Sequence, residues 1–325
     1  MTKEKSFLHL NENNIPLLTS HSSKTKALWS IGGGKEGTGK SLVSSCLGIE
    51  LANLNHEVFL INTDETEPNL LTFLGLKESK LHLDDLISRK NKKTEELTPS
   101  GPLSHLTLIQ GKGSLLFQPD LNYYKKLTLL RHLKEFENKV IIFDLGSGTI
   151  NNEIDFFIIA NPGILVINPD PVSIESAYYF LKSCIIRIFK LYIDYYQIHS
   201  FIKSITTQIY DSSKSVYSFL NEIISRDRTY AQIFFTALKQ FRPGLIVNKI
   251  RDEKDALLGE SIVNMVQKYL VTDLHFLGTI PYDEKMFSLP HQQESLLDRY
   301  HQSPLAPSVK NIAKKLIQLA SESPP

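Results

Sequence analysis

The stretch Gly34-Lys35-Glu36-Gly37-Thr38-Gly39-Lys40-Ser41 decides how this chain is read. It matches G-x-x-x-x-G-K-[ST], and each position has a chemical reason. Gly37 and Gly39 let the backbone turn so that successive amides face one concavity and donate to phosphate oxygens. A helix beginning at Ser41 puts its positive dipole end beneath the same point. Lys40 reaches β- and γ-phosphates, and the Ser41 hydroxyl is suited to ligate Mg²⁺. The flanks agree. An apolar run at 27–31 precedes the loop, and residues 41–53 carry Leu42, Val43, Cys46, Leu47, Ile49 and Ala52 at helical spacing. The unit from 27 to 62 has the length of a strand–helix–strand crossover.

Working outward, further short apolar runs fall at 58–62, 106–110, 140–144, 164–168, 244–248 and 276–279. Several are β-branched and apolar on both faces, as strands buried in a parallel sheet require. Helix-like stretches separate most of them. The pattern predicts an α/β fold: the doubly wound, mostly parallel sheet of a P-loop NTPase. Val140-Ile141-Ile142-Phe143-Asp144 reads as a strand that delivers a carboxylate to the metal side of the phosphate loop.

Residues 1–26 read as a polar tail, 27–320 as one ATPase domain and 321–325 as a disordered end. Residues 89–96 are Lys-rich and read as a solvated loop. A stretch at about 185–240 has neither Pro nor Gly and is dense in aromatics, including Phe189, Tyr192, Phe219 and Phe234. Its charges recur too often for a membrane span, so it reads as inserted amphipathic helices, with aromatics that pack them on the sheet.

Composition removes several function classes. At 325 residues, 42% apolar and 22% charged, the chain is neither disordered nor fibrous. A net charge of +1 gives no specific nucleic-acid signal. Two cysteines, Cys46 and Cys184, cannot form a disulfide framework or a four-cysteine metal site. The N-terminal ten residues have no signal-peptide core. The expected location is cytoplasmic, with peripheral association at the inner face of the cell membrane left open.

Lys35, five residues before Lys40, adds a resemblance. With it the loop looks like the deviant Walker A loop of the MinD/ParA (SIMIBI) class of P-loop ATPases. Thr63-Asp64 with residues 68–76 resembles that class's switch I, and 144–149 resembles switch II. Asn168 to Ser173 resembles the next strand-to-helix turn. Asn248 matches the adenine-contacting Asn, and 277–283, with Pro281, the late nucleotide-site turn. The triple-Gly start at Gly32-Gly33-Gly34 is most like the FlhG/MinD-like branch.

The resemblance implies ATP and Mg²⁺ as cofactors and an ATP-dependent homodimer in which Lys35 crosses to the partner's nucleotide. It implies catalytic roles for Lys35, Lys40 and Asp64, and metal ligation through Ser41 and Asp144. Nucleotide contacts would come from Gly34, Lys35, Glu36, Gly37, Thr38, Gly39, Lys40, Ser41, Leu42, Asn248 and Pro281. The implied function is an ATPase acting as a spatial switch in septum-site, flagellar or cargo positioning, with an unidentified protein activator or cargo. An ATP-dependent small-molecule amidase or synthetase of the same superfamily is the alternative. Three residues depart from the pattern: Glu36 for Gly, Leu42 for a hydroxyl residue, and Asn62 for the first switch I Asp. They imply slow turnover. An amphipathic helix at 309–320 is expected to close the domain and not to hold membrane by itself.

Overall fold

The protein is described from a computed structural model, which covers residues 25–63, 70–76, 81–83, 103–111, 126, 133, 136–147, 151–202, 215–292 and 294–322. Asp64, residues 68 and 69, residues 148 and 149, the 89–96 stretch, residues 1–24 and residues 323–325 lie outside them.

Seven strands form the sheet: β1 (Ala27–Gly32), β2 (Glu57–Asn62), β3 (Leu106–Gln110), β4 (Lys139–Asp144), β5 (Gly163–Ile167), β6 (Gly244–Ile250) and β7 (His275–Pro281). Their order is β3-β2-β4-β1-β5-β6-β7, and every neighbouring pair is parallel. Each apolar run seen in the sequence falls on one of them. The sheet is thus wholly parallel among the described residues, which suits strands buried on both faces.

Side-chain alternation divides the core into two layers. Trp29, Ile31, Leu60, Ile142, Val166 and Ile246 face one layer. Leu28, Ile61, Phe143, Leu165 and Val247 face the other. Helices α1 (Lys40–Asn53) and α2 (Leu70–Phe73) cover the first layer. Helices α3 (Asn151–Ile159), α4 (Pro171–Tyr196), α5 (His199–Ile202), α6 (Val216–Arg226), α7 (Arg228–Gln240) and α8 (Glu253–Leu270) cover the second. After β7 the chain returns to the first layer through α9 (Glu284–Gln292), α10 (Leu296–Arg299) and α11 (Leu305–Glu322). The connection leaving β1 runs to one side of the sheet and that leaving β5 to the other. That reversal opens a crevice at the carboxyl ends of β1 and β5, where open α/β sheets bind ligands.

Residue 185 lies inside α4, which begins at Pro171 under an Asp170 cap. Pro at the first helical position needs no N–H there, so it starts this helix. The aromatic-rich segment therefore begins as the second half of the crossover helix. Helices α6 and α7 lean on that half: the Phe189 ring lies 4.7 Å from Phe234 and 5.7 Å from Phe219. Tyr192 Oη donates to Gln240 Oε1 at 2.9 Å. In α11, Val309, Ile312, Ala313 and Leu316 are buried against β7 and α1. Among the described residues no helix is long and apolar enough to cross a membrane.

Polar ties inside the core are few and specific. Asp155 accepts from Lys126 at 2.8 Å and from Arg187 at 2.7 Å, joining α3 and α4. On the other face, Tyr300 Oη donates to Glu50 Oε2 at 3.0 Å, and both residues are buried. Burial, with Cys46 and Glu50 alongside, raises the Tyr300 hydroxyl well above its ordinary pKa, so it stays protonated. Tyr300→Phe strands the Glu50 carboxylate without this donor. It should cost about 1–3 kcal/mol in urea unfolding, and a change within error of zero would show that Glu50 is satisfied elsewhere.

Candidate nucleotide-binding site

The phosphate loop leaves β1 at the centre of the sheet edge and returns into α1. Gly37 and Gly39 have φ of 74° and 90°, in the left-handed region that other residues enter at a cost. Gly34 is required for space: a Cβ there would lie 2.3 Å from the Ser176 carbonyl oxygen on α4. Gly39 is the N-cap of α1, with no side-chain cap and no acidic residue in the first turn. The first amides of α1 are thus left to a ligand, which is what an anion site needs.

Two neighbouring carbonyls of the loop are held from behind. Asn248 Nδ2 donates to Thr38 O at 2.8 Å, and Lys249 Nζ donates to Gly37 O at 2.6 Å. Asn168 Nδ2 adds a longer contact to Gly37 O at 3.5 Å. Lys40 is almost fully buried, and its ammonium donates to Lys35 O at 3.2 Å. Ser41 is buried at the helix start. Leu42 has no exposed surface and packs in the core, so any contact it makes with phosphate runs through its amide. Glu36 is exposed on the outer rim.

Asp144 ends β4, in register with Ile31 of β1 and Asn62 of β2. Its Oδ1 accepts from Ser44 Oγ at 2.7 Å, and its carbonyl accepts from Thr63 Oγ1 at 2.6 Å. Ser44 lies one helical turn beyond Ser41 and ties the Asp144 carboxylate to α1. Asn62 is buried, with neither side-chain polar atom hydrogen-bonded. Lys35 Nζ lies 3.4 Å from Asp170 Oδ1, with both side chains well exposed. Asp170 also caps α4 by accepting from Ser173 N at 2.9 Å.

Sequence reasoning named the loop, Asp144 and Asn248, and the fold brings them to one edge. Pro281 closes β7, the edge strand next to β6 and three places from β1. Ser44, Asp170 and Lys249 were not assigned roles. Ser44 carries a faint signal, a hydroxyl one turn after the loop. Lys249 carries none, because a residue next to Asn248 in a regular strand would point to the opposite face.

The residues fit a magnesium nucleotide. Buried Thr38 Oγ1, Asn168 Oδ1 and Asn248 Oδ1 have no hydrogen-bond partner around the loop. Buried polar atoms of this kind are costly unless something binds them. Of the three, only the Thr38 hydroxyl can donate to phosphate, while the two amide oxygens need a donor such as a base or water. With the uncapped α1 and Lys40, the hydroxyl suits a phosphorylated ligand, and Ser41 and Asp144 carry oxygens that could hold a cation. A separate cavity of about 700 Å³ lies beyond β7, lined by Tyr282, Asp283, Met286, Leu289 and Arg299 among others, and includes no loop residue.

Known proteins agree with this geometry. The antiactivator FleN of Pseudomonas aeruginosa is 20% identical over 285 residues, covering 87% of this chain and 84% of FleN. The MinC:MinD cell division protein complex of Aquifex aeolicus contains a chain with a TM-score of 0.57 at 18% identity. That alignment covers 92% of this chain and 97% of that one. The septum site-determining protein MinD of Pyrococcus horikoshii, solved with Mg-ADP, gives 0.56 at 17% identity, covering 91% and 97%. The CobQ/CobB/MinD/ParA nucleotide binding domain matches residues 29–296, most of the chain. This protein therefore belongs to that family, as a MinD/ParA-type P-loop ATPase.

Proposed function

We propose that this chain binds Mg·ATP, hydrolyses it slowly and uses it to close a homodimer, acting as a cytoplasmic spatial switch for a septum site, a flagellum or another cargo. The observation that carries this reading is the convergence of Lys40, Ser41 and Asp144 on one phosphate cradle, with Lys35 on its outer rim. Ser41 and Asp144 would hold Mg²⁺, which would supply neutralisation of the phosphate charge. Lys40, resting on the Lys35 carbonyl, has a phosphate oxygen as its stronger alternative partner.

Lys35 is suited to act across a dimer. Its pair with Asp170 is half exposed and 3.4 Å long, a contact worth about 0–1 kcal/mol. Leaving it for a partner's phosphate is therefore cheap. Asp64 is proposed to orient the attacking water. Asn62 supports slow turnover, because a neutral amide beside Asp144 supplies one carboxylate fewer.

The partner is proposed to be a protein. FleN is named an antiactivator, and MinD is seen in complex with MinC. Membrane association, if any, would be peripheral and not autonomous, because the apolar face of α11 is buried.

Lys40→Ala removes a charge-assisted phosphate contact of about 1.5–3 kcal/mol, so Mg·ATP affinity should fall at least tenfold in equilibrium titration. Unchanged affinity in the folded variant would sink the nucleotide site. Asp64→Ala should retain ATP binding yet show no phosphate release. Turnover equal to wild type would assign the water to another group. Lys35→Ala should bind ATP but stay monomeric in light scattering with a non-hydrolysable analogue, under conditions where wild type dimerises. A dimer of the variant would remove Lys35 from the interface.

A further inference from the structure

Lys249 stands in an unusual place. Residues 248 and 249 are consecutive in β6, so in a regular strand their side chains would point to opposite faces of the sheet. Here both reach the same loop: Asn248 holds Thr38 O and Lys249 holds Gly37 O. The backbone shows how. Three steps along β6, from Val247 to Ile250, oppose only two along β7, from Thr279 to Pro281. The extra residue is a bulge, and Lys249 within it has φ of 61°. A lysine gains nothing locally from the left-handed region, which is strained for a residue with a Cβ. Bulges recur where a side chain must be re-aimed next to a site.

Resting on the nucleotide reading above, we propose that Lys249 is a positioning residue for the phosphate cradle. Its ammonium clamps the Gly37–Thr38 peptide plane so that the Thr38 amide faces phosphate. The geometry of the peptide makes this specific. In a trans peptide the N–H points away from the C=O of the same unit. A donor fixed on Gly37 O from behind therefore aims Thr38 N–H to the other side. Asn248 on Thr38 O does the same for Gly39 N–H. Two successive peptide planes are thus locked by two successive side chains, which the bulge alone makes possible.

The contact also polarises the peptide. A cation on the carbonyl oxygen draws electron density from the N–H and makes it a stronger donor, as happens along hydrogen-bonded chains. Burial lowers the Lys249 pKa, Arg251 and Lys35 lower it further, and Asp170 opposes them. Lys35 and Arg251 repel the ammonium, and Asp170 is already engaged with Lys35 and Ser173.

Three variants separate the side chain's work from the backbone's. Lys249→Met keeps the strained backbone and the stem but removes the ammonium. Lys249→Gly removes the ammonium and relieves the strain. Lys249→Arg keeps a cation of similar reach. Binding of the fluorescent N-methylanthraniloyl derivative of ADP with Mg²⁺ is measured for each, alongside urea stability. Both Met and Gly should bind about tenfold more weakly, although Gly should be at least as stable as wild type. Arg should stay within about threefold of wild type. Met or Gly binding within twofold of wild type would overturn the proposal. So would full affinity in Gly with loss in Met, which would mean that only the backbone matters. A wild type that binds no nucleotide would overturn the nucleotide reading itself, whereas a binding wild type matched by Lys249→Met would overturn this inference alone.

Discussion

A phosphate cradle works only if consecutive peptide N–H groups point at one spot while their carbonyls are satisfied elsewhere. That requirement organises the carboxyl edge of this sheet. Gly37 and Gly39 supply the positive φ angles. Gly34 lets the loop approach α4 so closely that a methyl group would strike Ser176. Strand β1 lies between β4 and β5, so the loop emerges where the connections part. Strand β6, one place further on, sends back Asn248 and Lys249 to hold the outward-facing carbonyls. A core of two apolar layers makes the edge rigid, since close-packed interiors transmit displacement and do not absorb it.

The strands were legible because burial on both faces leaves an unambiguous mark. Ile141, Ile142 and Phe143 can be nothing but interior, and Asp144 at the end of such a run has few reasons to be there. The loop was legible because glycine and lysine are needed at fixed spacing. Other features left weaker traces. The start of α4 was legible as the strand-to-helix turn at Asn168 to Ser173, whereas the boundary at 185 was misplaced, because the aromatic-rich segment begins inside that helix without a break. The order of the strands depends on long-range pairing that no local pattern encodes. Lys249 was invisible for a sharper reason: its direction is set by a register shift between two strands, and the bulge is a property of the pair.

Two departures from the family pattern lie near the loop and Asp144. Asn62 lies beside Asp144 with both polar atoms lacking partners, while Leu42 has moved wholly into the core. Neither change touches the amide cradle, Lys40, Ser41 or Asp144. On the proposed function, these changes would slow hydrolysis and leave binding intact, which suits a switch better than a pump. Function on such a fold resides in the surfaces that partners read. Val172 and Tyr179, in the N-terminal part of α4 that Asp170 caps, are exposed.

The central claim is that the loop between β1 and α1 recognises a chain of phosphates with Mg²⁺. Calorimetric titration of the wild-type protein with AMP, ADP and ATP, with and without Mg²⁺, tests it most directly. Affinity should rise by at least tenfold from AMP to ADP, with one nucleotide per chain, and Mg²⁺ should strengthen ATP binding through Ser41 and Asp144. Equal affinity for AMP and ATP, indifferent to Mg²⁺, would contradict the account.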